Sequence, residues 1–352
     1  MRVVVTGASG NVGTALARRL RAGGHEVVGI ARRPPAPGAD DGPQEWVRAD
    51  LSRECHDELV AAFRGADAVV HLVWGFQPTH RIDYLEEVGV GGTRRVLDAV
   101  AAAGVGQLLH QSSIGAYSPR LDDRPVTEDW PTGGIQASPY SRHKAAAERL
   151  LDDFEAGHGV VLTRTRPGII GQRSASSAQL RYFLPTVVPA RVLRHVPVLP
   201  LDRRVTLQVV HADDVADAMA LMLEARAPGA FNLVTEPVLT HADIAAVLGA
   251  RPVHVPFSVL RAAADLSWRA HLQPLDPGWV DLALGVPVLD ATRARTELGW
   301  RPRRVAHDVL AEAVAGMADA AHGDAEVLRE RTIADGLRRA VRQGTVSRRR
   351  MP

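Results

Sequence analysis

Thr6-Gly7-Ala8-Ser9-Gly10-Asn11-Val12-Gly13 follows the β-branched run Val3-Val4-Val5 and opens the helix-forming stretch Thr14-Ala15-Leu16-Ala17-Arg18-Arg19-Leu20. A strand, a glycine turn and a helix start in that order make half of a βαβ unit, and that context gives three spaced glycines their meaning. Gly7 lets the chain reverse after the strand, Gly10 lets backbone approach a pyrophosphate, and Gly13 lets the helix pack close to the sheet. The helix N-terminus, with Ser9, Asn11 and Val12 in its turn, presents unpaired N–H groups and a partial positive charge to a phosphate. A tight turn without any ligand has the same local pattern, so the choice rests on what surrounds it.

Outward from the turn, short β-branched runs alternate with helical patterns. Strands are expected at Arg2–Thr6, Glu26–Ala31, Gln44–Val47, Ala68–Val73, Gln107–Gln111 and Val160–Arg164, with amphipathic helices near Gly13–Ala22, Cys55–Phe63, Leu85–Ala103 and Pro139–Ala156. Six strands with interleaved helices predict the α/β class, as a Rossmann-type doubly wound parallel sheet. Beyond Arg166 the rhythm breaks: Ser174–Arg204 is rich in Pro, Arg and Leu, Thr206–Val210 and Phe231–Val234 read as strands, and Asp213–Arg226 reads as a helix. The division expected is a dinucleotide-binding domain over 1–170, its sheet completed by about 205–235, and a smaller C-terminal substrate lobe. That lobe takes 171–204 and 236–317, interleaved with the last strands, and 318–352 form a helical or frayed tail ending in Ser347-Arg348-Arg349-Arg350.

Composition narrows the function classes. Of 352 residues 46% are hydrophobic and 23% charged, enough to bury a large core. The net charge of +2 comes with no basic stripe, so nucleic acid is not an expected partner. One cysteine, Cys55, allows no internal disulfide and no multi-cysteine metal site, and suits a reducing compartment. The start lacks the long apolar run of a signal peptide, and no stretch of eighteen apolar residues exists, so a cytoplasmic protein with no membrane partner is expected. The 14 histidines show no His-x-x-x-His spacing, and no metal is expected. His211, Asp213 and Asp214 look like ligands, but one of the two aspartates capping the next helix is preferred.

The second strand separates two cofactors. An acid at its end holds the ribose hydroxyls of NAD, whereas Val27-Val28-Gly29-Ile30-Ala31 ends here in Arg32-Arg33. Two guanidiniums can clamp a 2′-phosphate bidentately, which favours NADP(H) while leaving NAD possible. Solvated loop arginines are the alternative. Asp50, with Leu51 beside it, follows the third strand and is placed to meet the adenine amino group or to cap the next helix.

Among 42 lysines and arginines there is a single lysine, Lys144. A chain that uses arginine for every ordinary cationic task has a special reason for the exception. Lys144 lies four residues after Tyr140, on the same face of a helix that Ser138-Pro139 would start as N-cap and N1. A phenol, with a pKa of roughly 10, is a poor base at neutral pH, and a nearby ammonium lowers it. A compact ammonium also suits a nicotinamide ribose better than a forked guanidinium does.

Gly7-x-x-Gly10-x-x-Gly13, Tyr140-x-x-x-Lys144 and Ser112-Ser113 together resemble the extended short-chain dehydrogenase/reductase superfamily, and more narrowly its NAD-dependent epimerase/dehydratase branch. Further matches are His71-Leu72-Val73, Arg166-Pro167-Gly168, His211-Ala212-Asp213-Asp214-Val215-Ala216 and Leu298-Gly299-Trp300-x-Pro302. The resemblance implies hydride transfer between nicotinamide C4 and a carbinol or carbonyl carbon. It implies that Ser113 hydrogen-bonds the substrate oxygen, Tyr140 is the acid/base and Lys144 orients the ribose. Ser112 is then structural, Tyr117 a pocket wall, and His71, Leu72, Val73 and Pro167 border the cofactor. A homodimer through the helices Leu85–Ala103 and Pro139–Ala156 is implied as well.

Three departures narrow the reaction. Where sugar-nucleotide dehydratases of this family carry two acids, this chain has Ile114 and Gly115, which move no proton. Where the family often has Asn before Val-x-Gly-Thr, this chain has Gly89. After Gly168 the polar set that grips a nucleotide diphosphate is missing, although Gln172, Arg173, Arg181, Arg203 and Arg204 are candidate anion ligands or solvated residues. Tyr182, Phe183, Leu184, Trp268 and Trp279 suggest an apolar lobe, by packing or as a pocket. The expected function is an NADP(H)-dependent oxidoreductase acting on a small hydroxyl or keto substrate. A sugar-nucleotide epimerase with transiently used bound cofactor and a non-catalytic NADP(H) sensor are the alternatives.

Overall fold

The computed structural model describes residues 1–35, 42–76, 79–183, 188–273, 275–332, 334 and 338. Leu184 and Ser347–Arg350 lie outside the described residues, as do the side chains of Tyr182 and Phe183. In chain order the first half comprises β1 (Arg2–Thr6), α1 (Asn11–Ala22), β2 (Glu26–Ala31), β3 (Glu45–Arg48), α2 (His56–Phe63), β4 (Ala68–His71), α3 (Ile82–Glu86), α4 (Gly92–Ala103), β5 (Gln107–Gln111), α5 (Pro139–Gly157) and β6 (Val161–Pro167). The second half continues with β7 (Ile169–Gly171), α6 (Ser176–Phe183), β8 (Val198–Leu201), β9 (Thr206–His211), α7 (Ala212–Ala225), β10 (Gly229–Leu233), β11 (Thr235–Thr240) and α8 (His241–Val247). It closes with β12 (Arg251–His254), α9 (Phe257–Arg269), α10 (Gly278–Gly285), α11 (Thr292–Glu297) and α12 (Ala306–Ala318).

Seven parallel strands form the main sheet in the order β10-β6-β5-β4-β1-β2-β3. The period-2 alternation of β1 explains its central place. Val3 and Val5 belong to one apolar cluster, with Leu16 and Leu20 of α1 and Val215 and Met219 of α7. Val4 faces the opposite cluster, with Leu59 and Phe63 of α2, Val96 and Val100 of α4 and Leu151 of α5. A strand apolar on both faces must be covered on both, which is why helices lie on each side. Chain direction across the sheet reverses between β1 and β4, and the crevice beyond their C-terminal ends is where such sheets bind ligands.

Strand Thr206–Val210 of the sequence reading becomes β9, but it pairs with β7 and β11 in a separate three-stranded sheet, and β8 pairs with β12 in a third. The helix expected over Leu85–Ala103 starts earlier, at Ile82, and passes through one π-helical turn, Glu87–Gly91, before α4. Gly104, at φ +68°, ends it in the left-handed region. In the tail, Ala325, Leu328 and Arg331 are buried, and Arg181 donates to the carbonyls of Val327 and Arg329. No helix among the described residues is long and apolar enough to cross a membrane.

Candidate active site

At the glycine turn, geometry dictates residue type. Gly7 has φ +76°, and a Cβ there would lie 3.1 Å from Val73 N and 3.2 Å from the Leu72 carbonyl carbon. The turn therefore closes on the backbone that leaves β4, and Leu72 and Val73 border the same crevice. A Cβ on Gly13 would be 2.3 Å from the Gly7 carbonyl oxygen, which no side chain tolerates. Gly10 is the N-cap of α1, no side chain caps that end, and its first turn holds no acid. Its N–H groups and dipole are thus left for an anion, so these residues fit the pyrophosphate of a dinucleotide. Ser9 and Asn11 are partly exposed at the turn, whereas the Val12 side chain is buried in the core.

Around this turn the expected residues take different parts. Arg32 Nη1 donates to Tyr84 Oη at 2.9 Å, and Arg33 Nη1 lies 3.6 Å from a Glu326 carboxylate oxygen. Asp50 does not cap α2. Its Oδ1 accepts from Ser52 N and Oγ at 3.0 and 2.7 Å, fixing the turn after β3, while Leu51 is buried. His71 is buried with Nδ1 2.7 Å from Thr6 Oγ1 and Nε2 3.3 Å from Thr93 Oγ1, tying β4 to β1 and α4. Burial, helped by the Lys144 charge, pushes its pKa down to about 3. Pro167 is buried at the end of β6, opposite Leu233. At the other candidate, α7 is capped by His211, whose Nδ1 accepts from Asp213 N at 3.1 Å, and not by either aspartate. That N–H needs only one acceptor, and the histidine supplies it.

Helix α5 starts as its sequence suggests, with Pro139 at N1 and Ser138 Oγ accepting from Ser141 N. The next hydroxyl, Ser141 Oγ, donates to the Gly115 carbonyl at 2.5 Å and accepts from Ile135 N at 2.6 Å. That bond fixes α5 to the loop after β5 and brings the Tyr140 phenol beside Ser113. Ser113 Oγ also accepts from Gly115 N at 3.0 Å. Lys144 lies one turn further along, 2% exposed, donating to the Gln111 carbonyl at 2.9 Å. Its Nζ sits 3.5 Å from the centre of the Trp74 ring.

Burial dominates the electrostatics of the pair in the protein alone. It pushes the Tyr140 phenol up to about 12, only partly opposed by the neighbouring Ser113 hydroxyl. Burial also takes Lys144 down to about 7, with Glu148 opposing. Removal of both groups from water sets the direction of each shift.

Behind the pair lies a buried ion network. Glu148, a turn beyond Lys144, accepts from Ser112 Oγ at 2.6 Å and from Arg166 Nε and Nη2 at 2.9 and 3.0 Å. Ser112 is thus structural. Tyr117 is not a pocket wall: it is fully buried, its phenol donating to Asn232 Oδ1 at 2.7 Å and accepting from Arg166 Nη1 at 3.1 Å.

Sequence reasoning named Trp279 as a packing or pocket residue but missed the two rings that join it around the phenol, Trp74 and Phe76. Phe76 and Trp74 meet Tyr140 edge-on at 5.3 and 6.4 Å between centroids, and Trp279 lies nearly parallel to it at 5.2 Å. Phe76 and Trp279 also meet edge-on, at 5.1 Å. Two glycines read as departures form the floor. A Cβ on Gly115 would lie 2.8 Å from Tyr140 Cε1, and one on Gly89 would lie 3.1 Å from the Trp74 ring. The available signal was Trp74-Gly75-Phe76, aromatic residues directly after a strand that ends at the crevice. Trp268 instead stacks on His80, at 4.6 Å.

Residues 3–233 match the family described as NAD dependent epimerase/dehydratase. An uncharacterized protein of Mycobacterium tuberculosis is 29% identical over 314 residues, covering 88% of this chain, and the chain spans only 29% of that protein's length. A 3-diazoavenalumate denitrifying reductase of a Streptomyces species is 30% identical over 321 residues, covering 86% of this chain and 96% of the relative. The UDP-glucose 4-epimerase of Thermus thermophilus, solved in complex with NAD, superimposes with a TM-score of 0.67 at 25% identity, covering 91% of this chain and all of the other.

Proposed function

Because the chain belongs to the NAD-dependent epimerase/dehydratase family, we propose that it is an NADP(H)-dependent oxidoreductase acting at a carbinol or carbonyl carbon through Ser113, Tyr140 and Lys144. The observation that carries the reading is the chain's one lysine, buried a helical turn from a phenol that lies beside Ser113. Bound at the crevice, a nicotinamide supplies or accepts the hydride. Ser113 and Tyr140 hold the substrate oxygen, and Tyr140 gives or takes the proton at that atom. Lys144 hydrogen-bonds the ribose, and its charge, once drawn to the bound cofactor, favours the phenolate. Arg32 and Arg33 support the phosphorylated cofactor: neither is an acid that would repel a 2′-phosphate, and both stand at the end of β2. The proposal includes a dinucleotide domain over 1–170, a substrate lobe from 171–204 and 236–317, and pairing of two copies through α4 and α5.

Relatives with sugar-nucleotide names keep a second reading in play, an epimerase that oxidises and reduces its substrate on one retained cofactor. The test measures affinities for NADPH and NADH, NADPH oxidation with a carbonyl panel, and the same in Tyr140→Phe. Tighter NADPH binding is expected, with turnover at least about 100-fold lower in the variant and cofactor affinity unchanged. Cofactor that copurifies without net consumption selects the epimerase. Full turnover in Tyr140→Phe removes the acid/base assignment.

A further inference from the structure

We infer that the box of Trp74, Phe76 and Trp279 around the Tyr140 phenol receives the ring of a planar aromatic or aryl-conjugated carbonyl compound. The inference rests on the oxidoreductase reading and names its substrate class.

Three segments far apart in sequence build the box: the run after β4, the start of α5 and the start of α10. Each is held there by a glycine. A Cβ on Gly278 would come within 2.5 Å of the Ala137 carbonyl oxygen, so only glycine lets α10 close on the turn before α5 and lay Trp279 on Tyr140. Gly115 and Gly89 do the same beneath Tyr140 and Trp74. The walls meet at interplanar angles of 84°, 87° and 79°, while Trp279 and Tyr140 lie 27° apart. Edge-to-face and offset arrangements of this kind suit a further π-face. Trp74, Phe76, Tyr140 and Trp279 are each partly exposed as residues, so the cluster is not sealed in the core.

Chemistry then selects the occupant. A sugar nucleotide brings several hydroxyls and two phosphates, each costly to desolvate without a polar partner. The side chains in ring contact with the phenol offer aromatic faces and edges, and Ser113 and Tyr140 serve one oxygen. One oxygen on a flat apolar body matches an aryl carbonyl. In the reductive direction the carbonyl carbon accepts hydride from a reduced nicotinamide dinucleotide while its oxygen takes the Tyr140 proton. The products are an alcohol and the oxidised dinucleotide, with the phenol reprotonated from solvent.

The test uses the full chain loaded with NADPH and titrated calorimetrically with cinnamyl alcohol, which cannot react with the reduced cofactor, and separately with UDP-glucose. Cinnamyl alcohol is expected to bind and not to be displaced by UDP-glucose. Trp279→Ala should weaken it about tenfold, Trp279→Phe should restore most of the loss, and NADPH affinity should stay put in both. Tighter binding of UDP-glucose, no binding of cinnamyl alcohol to NADPH-loaded protein, or equal affinity in Trp279→Ala overturns the inference. Absence of NADPH binding by the unaltered chain strikes the oxidoreductase reading instead.

Discussion

A methyl group at residue 115 would sit 2.8 Å from Tyr140 Cε1, and the ring, pinned from behind by the Ser141 bond to the Gly115 carbonyl, has little room to retreat. Gly115→Ala is therefore expected to move the phenol relative to Ser113 by a fraction of an ångström. Misplacements of that order cost roughly 10- to 100-fold in turnover. Steady-state kinetics should show the loss in kcat with cofactor affinity and thermal stability near those of the parent. An unchanged kcat shows that the ring does not depend on this contact. In sequence the same glycine reads only as a position lacking a dehydratase acid. Its positive role is invisible there, because the ring that needs the space comes from a helix 25 residues later.

Helix α5 places Tyr140, Lys144 and Glu148 at steps of four along one face, and sequence reading found the first two by spacing and by the rarity of lysine. Glu148 is one acid among 40 and carries no such signal. Its meaning comes from β6, which brings the Arg166 fork onto its carboxylate. Burial pushes Glu148 up, and Arg166 more than reverses it, holding the carboxyl below its ordinary range. Removing one partner strands the other charge in the interior. Glu148→Ala should thus cost about 3–5 kcal/mol in denaturant unfolding, and Glu148→Ala with Arg166→Met should recover much of it. A single variant as stable as the parent shows that the pair is better hydrated than its burial implies.

Across the whole molecule, the centre of the sheet holds two adjacent imidazoles tilted by 49°, His71 of β4 and His110 of β5, with ring centroids 5.2 Å apart. Burial drives both pKa values down, His71 to about 3 and His110 well below its ordinary value. Between pH 6.5 and 3 the unfolded chain binds protons that the folded one refuses, so stability falls as pH falls. Each histidine contributes about 1.4 kcal/mol per pH unit across its window. His110→Phe should flatten the decline measured by denaturant titration at pH 6, 5 and 4, and an identical slope refutes its neutral burial. The sheet itself was legible: β-branched alternation and the glycine turn encode which faces must be buried and where backbone must pass close, and both are local properties of the chain. The lone lysine and its tyrosine partner were legible for the same reason, since a helix repeats within four residues. Strand order was the decision of tertiary structure alone. It sets the residues after β4 beside α5 and α10, and so surrounds a phenol with three rings that no local period connects.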